Sequence, residues 1–237
     1  MSIAETLQTL KEFDTALLAN TIERIDPVLP ELIYMGGQIR CLTPSIGPTV
    51  GLAITCEVDS STPSQKMEWD AFYEQLDEIR RIEEPVFWVV KAVGARPEHE
   101  CVLGDGIGKL LYSVGCAGVI TDGGVRDVNG LLTVPFAVHA RYTIAHHCAL
   151  RAHSTGKPIE VGGLLIRPGD ILHADHEGII RIPQSCLDRL SAEAIKVRAF
   201  ENEAHGVLRQ PNLTPGQKRE IIDGISARYT FTRNKSA

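Results

Sequence analysis

Apolar residues first recur along the chain at helical spacing. Ile3, Leu7, Leu10, Leu17 and Leu18 follow this rhythm over residues 3–25 until Pro27 and Pro30 close the stretch, which predicts an N-terminal helical arm. Gly36-Gly37, Pro44, Gly47 and Pro48 mark a turn-rich passage, and Val50 to Val58 then reads as a strand. Trp69, Phe72, Leu76, Ile79 and Ile82 repeat every three or four positions with charged residues between them, up to Pro85: an amphipathic helix. The run Val86-Phe87-Trp88-Val89-Val90 is continuously apolar and too short for a helix, so it fits a strand covered on both faces.

The same alternation continues. A glycine-rich turn at 104–108 leads to a helix over Lys109 to Val114, and a strand over Gly118 to Thr121 ends in Asp122-Gly123-Gly124. Residues 134–138 form another apolar strand, and 163–182 alternate short strands with turns. Pro183 opens a long helix carrying Leu187, Leu190, Ala194 and Val197, and Thr214-Pro215 offers the N-cap and first residue of a terminal helix. An α/β unit joined to a β-rich half, with helices packed outside, is the architecture this pattern predicts.

Composition narrows the function classes. At 237 residues and 43% apolar, the chain can bury roughly 70–75% of its unfolded surface around one core. A net charge of -6 argues against a nucleic-acid partner held by bulk attraction. No apolar run reaches the roughly 18 residues of a spanning helix, and residues 1–20 lack the pattern of a signal peptide; a cytoplasmic protein without membrane contact is expected. The six cysteines, at 41, 56, 101, 116, 148 and 186, form no C-x-x-C pair and read as buried thiols. Residues 206–237 carry six Lys/Arg against Glu220 and Asp223, an extension suited to docking on an acidic neighbouring subunit or to solvent.

Two segments could carry chemistry. Gly104-Asp105-Gly106-Ile107-Gly108-Lys109 follows a strand-like Cys101 to Leu103 and precedes a helix, so free backbone N–H groups there can cradle an anion. It is no Walker A loop, because Leu103 stands where the first glycine belongs and Leu110 replaces Ser/Thr. Arg126-Asp127 sits just past a strand end, where open α/β sheets bind ligands. Arg offers planar donors to a carboxylate or oxyanion, and Asp offers hard oxygen to Mg²⁺ or Mn²⁺. An ordinary turn and a surface ion pair are the alternatives for each segment alone.

Together they form Asp-x20-Arg-Asp. With Gly118-Val-Ile-Thr-Asp-Gly-Gly-Val-Arg-Asp127, Gly162-Gly-Leu-Leu-Ile-Arg-Pro-Gly-Asp170, Ala174-Asp175 and Gly178-Ile-Ile-Arg-Ile-Pro183, the chain resembles the 4-hydroxy-4-methyl-2-oxoglutarate aldolases and the related regulators of ribonuclease E activity, the RraA-like proteins. The resemblance covers about residues 45–183, with a looser echo at Asp14-Thr15-Ala16. It implies a three-layer α/β/β sandwich of the swivelling-domain type with N- and C-terminal helices, assembled as a homotrimer or homohexamer. Residues 1–205 would then form one domain, with an arm over 1–35, a core over 45–183, and a helix over 183–205. It also implies an enzyme in which Asp127 holds Mg²⁺ or Mn²⁺, Arg126 contacts a 2-oxo acid and stabilises enolate charge, and Asp105 positions a water on the metal. Backbone N–H groups around Gly104, Gly106 and Ile107 would hold the substrate carboxylate. The implied reaction cleaves 4-hydroxy-2-oxo acids to pyruvate, and oxaloacetate decarboxylation passes through the same enolate.

Departures from the family pattern bear on the substrate. His139 and Arg141, then His146-His147, stand where the family carries a glycine-bearing loop, and would bring bulkier, titratable groups to the pocket. A glutamate from a neighbour's C-terminal helix is matched by Glu201 or Glu203. His173 and His176, flanking Asp175, read as structural or solvent-facing rather than as metal ligands; Lys109 reads as a solvated helix lysine; and Glu57 and Asp59 read as edge charges. The rival readings are a non-catalytic ribonuclease regulator, from which Asp127 beside Arg126 argues away, and a hydratase or dehydratase using the same metal site.

Overall fold

The computed structural model describes residues 2–26, 29–147 and 149–229. Pro27, Cys148 and residues 230–237, on which parts of the expectations above fall, lie outside the described residues. The strands are β1 (Arg40–Cys41), β2 (Thr49–Asp59), β3 (Val86–Ala92), β4 (Cys101–Leu103), β5 (Cys116–Thr121), β6 (Gly124–Val125), β7 (Ala137–Ala140), β8 (Tyr142–Thr143), β9 (Arg151–Thr155), β10 (Ile159–Val161), β11 (Leu164–Ile166), β12 (Ile171–Ala174) and β13 (Ile179–Ile182). The helices are α1 (Ile3–Leu10), α2 (Thr15–Ile25), α3 (Asp70–Ile79), α4 (Asp105–Ser113), α5 (Val128–Leu131), α6 (Leu187–Leu208) and α7 (Pro215–Arg228). Among the described residues, no helix is long and apolar enough to cross a membrane.

The main sheet runs β1-β7-β5-β3-β2-β12-β13, with β9 also on β2. Its centre, β2-β3-β5-β7, is parallel, and the flanking pairs are antiparallel. The apolar run of β3 shows why both faces are covered. Val86, Trp88 and Val90 enter a cluster with α3 and α4, while Phe87 and Val89 enter another with the β10-β11 hairpin, as the two-residue side-chain period requires. Helices on one face and a hairpin on the other give the α/β/β layering expected from the sequence. A small parallel sheet, β4-β6-β8, lies on the helical side through Val102, Leu103 and Val125.

Several local expectations shift. The glycine-rich turn at 104–108 is the first turn of α4, with Gly104 as N-cap; glycine lowers helix propensity without forbidding a helix whose Leu111 is buried. The strand expected at 134–138 falls at Ala137–Ala140, because Pro135 has no N–H to give a ladder. The last long helix begins at Leu187 after a 3₁₀ turn over Gln184–Cys186. Thr214 and Pro215 start α7 as expected, with Gln217 completing a capping box.

The N-terminal stretch is helical, as two helices packed on the core. It breaks at Asp14, whose carboxylate accepts from Leu17 N (2.8 Å) and starts α2 anew. Leu7, Leu10, Leu17, Leu18 and Ile22 are buried against α6 and the β12-β13 edge. Asp175 fastens this layer: its carboxylate accepts from Thr15 N (2.8 Å) and from Glu177 N (2.8 Å), and Thr15 Oγ1 shares a hydrogen bond with His173 Nδ1 (2.9 Å). His173 Nε2 meets Leu10 O, at the end of α1, at 3.2 Å. The echo at Asp14-Thr15 and the Ala174-Asp175 motif are therefore two halves of one joint. His173 is a buried, bonded structural histidine and His176 is exposed.

His139 is also buried, and burial lowers the pKa of both His139 and His173 below 6.5. His139 Nε2 bonds Asp175 O (2.9 Å), and its Nδ1 has no partner. The folded protein keeps both rings neutral while the unfolded chain takes up protons below about pH 6.5, so stability is full above that pH and falls as pH drops through it. The melting temperature is expected to fall between pH 7.5 and 5.5, and a His139→Gln variant should show a smaller fall. An equal fall in both proteins would remove His139 from the explanation.

Candidate active site at the ends of two parallel strands

Strands β4 and β6 pair in parallel, Leu103 opposite Val125, so their carboxyl ends leave the small sheet side by side. Arg126 N donates to Leu103 O (2.9 Å), carrying the ladder one residue further. This pairing is why Gly104-Asp105 and Arg126-Asp127, twenty residues apart in sequence, emerge together. Gly104 is the floor between them: a Cβ there would lie 3.0 Å from Asp127 Oδ2 and 3.2 Å from Arg126 Nε.

Asp127 takes the left-handed conformation (φ 58°, ψ 36°), which Asp tolerates better than most residues. Its carbonyl accepts from Gly130 N (2.8 Å) and Leu131 N (3.1 Å), closing the short α5, while its carboxylate makes no capping bond. That carboxylate is left half exposed, with Arg126 Nε 3.4 Å from Oδ2. Asp105 opens α4 and packs against Gly130, where a Cβ would lie 2.7 Å from Asp105 Oδ2. Lys109, one turn on, reaches Asp105 Oδ2 at 2.6 Å. That lysine, with Gly106 N–H and Arg126 adding to it, holds the Asp105 carboxyl below the usual range. Lys109 is thus an ion-pair partner rather than a merely solvated side chain.

Arg126, Asp105 and Asp127 line one cleft of about 280 Å³, with Gly104, Gly106 and Ile107. No side chain caps Gly104, so the first N–H groups of α4 open toward this cleft and favour an anion. The cleft's wall also includes Met67, Trp69 and Leu150, with His147. A backbone bond from Glu68 N to Leu150 O (3.0 Å) builds that wall by joining segments 82 residues apart. Sequence reasoning missed Met67, Trp69 and Leu150, because nothing in their type or spacing marks a ligand wall. Asp105 and Asp127 also border a more open hollow lined by Val128, Asn129 and Gly130.

The remaining candidates lie elsewhere. His139 sits inside the main sheet opposite Cys41 and Ile120, and Arg141 pairs with Glu98 (3.5 Å); neither lines the cleft. Of the histidines expected to crowd the pocket, His147 is the one that does. Glu201 bonds Asn20 (3.2 Å), and Glu203 contacts Arg228 and Tyr229; neither reaches the cleft of its own chain. Asp59 is no edge charge: it is buried and accepts from Ser61 N (3.0 Å) and Thr62 N (2.9 Å).

Residues 26–181 match the family described as RraA-like, Aldolase/RraA. The chain belongs to the RraA-like family. A relative from Halalkalibacterium halodurans, named provisionally as a 4-hydroxy-4-methyl-2-oxoglutarate aldolase, is 30% identical over 99 residues. That match spans 41% of this chain and 47%, about half, of the relative. A second relative of the same provisional name, from Albidiferax ferrireducens, is 28% identical over 65% of this chain and 83% of its own length. Among solved structures, Streptomyces coelicolor RraAS2, described as an unusual member of the RNase ES inhibitor RraA family, superposes with a TM-score of 0.66. The superposition covers 86% of this chain and 97% of that one at 21% identity, a likeness of fold. The RraA-like family holds proteins named as lyases and proteins named as inhibitors, so the chemistry rests on the site.

A divalent cation is tested by the donor set. Among the described residues, no group of three or more His, Cys, Asp or Glu forms a metal cage. Mg²⁺ and Mn²⁺ do not need one, since hard cations of this size keep several waters and bind through one or two carboxylates plus the ligand. Asp127, half exposed and unused in capping, with Asp105 on the same cleft, fits that demand.

Proposed function

We propose that this RraA-like chain is a divalent-metal-dependent lyase that cleaves 4-hydroxy-2-oxo acids to pyruvate and decarboxylates oxaloacetate. The observation that carries the reading is the convergence of Asp105, Arg126 and Asp127 on one cleft beside the uncapped start of α4. The N–H groups there would bind the substrate carboxylate. Arg126 would place its guanidinium against the 2-oxo oxygen, whose charge grows as the C3–C4 bond breaks and its electron pair moves onto C3. Asp127 would hold Mg²⁺ or Mn²⁺, which when bound supplies further positive charge to the same oxygens. Asp105, kept ionised by Lys109, would orient a water that takes the 4-hydroxyl proton and returns one to C3 of the enolate. Loss of CO₂ from oxaloacetate leaves the same enolate and needs the same residues.

The test is pyruvate release from 4-hydroxy-4-methyl-2-oxoglutarate and oxaloacetate, with Mg²⁺, with Mn²⁺ and with chelator. Release that stops on chelation and returns with metal is expected; release indifferent to chelation, or a protein that only binds ribonuclease E, would overturn the reading. Gly130→Ala adds a check, because the new methyl occupies space held by the Asp105 side chain. Turnover should drop roughly tenfold or more, as displaced catalytic groups do, with circular dichroism reporting whether α4 and α5 stay folded; unchanged turnover would free Asp105 from its assigned position. The homotrimer or homohexamer, with Glu201 or Glu203 serving a neighbour's cleft, belongs to the same proposal and is read by sedimentation.

A further inference from the structure

The charged end of the cleft accounts for only part of its wall. Arg126 is its single permanently cationic lining residue among those described, and it stands with the α4 N-terminus beside the two aspartates. Much of the remaining lining is apolar, from Met67, Trp69, Leu150 and Ile107, with His147 also lining the cleft. Leu150 is buried, Trp69 is half buried with its ring tilted against Phe72 at 5.7 Å between centroids, and Met67 is exposed. A carboxylate laid on those apolar side chains would lose water and gain no permanent cation, whereas an alkyl or aryl group would bury apolar surface. The cleft's 280 Å³, just under the roughly 300–1,000 Å³ of common ligand pockets, suits pyruvate plus a short substituent.

We propose that the substrate carries an uncharged apolar group on C4, so that the second product is a small aliphatic or aromatic aldehyde or ketone rather than an oxo acid. The inference rests on the lyase reading above and selects among its substrates. Arg126 and the N–H groups of α4 are occupied by the pyruvate half, and Trp69, Met67 and Leu150 receive the C4 substituent. The balance is that of a retro-aldol cleavage: the 4-hydroxyl loses its proton, C4–O becomes a carbonyl, the C3–C4 bond breaks, and C3 regains a proton. No co-reactant is consumed.

The experiment compares the full chain with Mn²⁺ on 4-hydroxy-2-oxohexanoate and on 4-hydroxy-4-methyl-2-oxoglutarate, alongside deuterium exchange into the methyl group of pyruvate in D₂O. Exchange needs the enolate machinery and no C4 substituent, so it reports on the underlying reading alone. kcat/KM for the hexanoate is expected to exceed that for the dicarboxylate by at least about tenfold, the scale of discrimination by apolar pockets. Trp69→Arg should shift the ratio toward the dicarboxylate by a similar factor; Met67→Arg, at an exposed position, carries the same test should the first variant fail to fold. Exchange with equal or better use of the dicarboxylate overturns the inference and leaves the lyase reading standing. Absence of both exchange and cleavage overturns the lyase reading itself.

Discussion

Asp127→Asn is expected to lower metal-dependent pyruvate release by at least about a thousandfold, on the order of 4 kcal/mol of transition-state stabilisation. Asn is the informative replacement because it tolerates the left-handed backbone at φ 58°, so the carbonyl that closes α5 stays in place. Alanine would add backbone strain and confuse loss of a ligand with loss of the loop. The amide keeps one weak oxygen donor but no charge, and Mn²⁺ affinity measured by calorimetry or electron paramagnetic resonance should collapse in parallel. A variant that turns over normally and still responds to Mn²⁺ would strip Asp127 of its role.

Arg126→Lys comes second, with an expected fall in kcat/KM of roughly 10²–10³, the usual cost of removing one donor aimed at a developing oxyanion. Charge is conserved, so the loss isolates geometry: a planar fork presents two parallel donors, and an ammonium presents a single point. Fold effects should be small. Residue 126 is tied to β4 through its backbone N–H to Leu103 O, which lysine also supplies. Activity within threefold of the parent would show that the cleft needs only a positive charge at that place.

The parts of this molecule that could be read from sequence are those set by local period or by a rigid pairing. The run from Val86 to Val90 is a two-faced strand because no other element hides five successive apolar residues in so short a length. Asp105, Arg126 and Asp127 were legible as a set through the family resemblance, and the β4-β6 pairing supplies its physical basis. What escaped is what depends on contacts distant in sequence. The apolar wall of the cleft is made by Glu68 N bonding Leu150 O, and no residue type announces it. Asp59 seemed an edge charge because its neighbours on β9 arrive almost a hundred residues later, and Ser61 and Thr62 satisfy it through a turn invisible to hydrophobic periodicity. His139 reads as a pocket residue because it stands where the resemblance places a glycine-bearing loop, yet a strand's alternation turns it toward Asp175 instead.

The joint between Thr15 and Asp175 also sets a timetable for synthesis. The two residues are 160 positions apart, and a ribosome adding roughly 5–20 residues per second needs on the order of 10–30 s to deliver the second after the first. Throughout that interval the amphipathic α1–α2 pair has neither its anchor nor α6 to cover Leu7, Leu10 and Leu18. The α1–α2 pair therefore leaves the tunnel long before the elements it docks on, which makes it the natural grip for a holding chaperone.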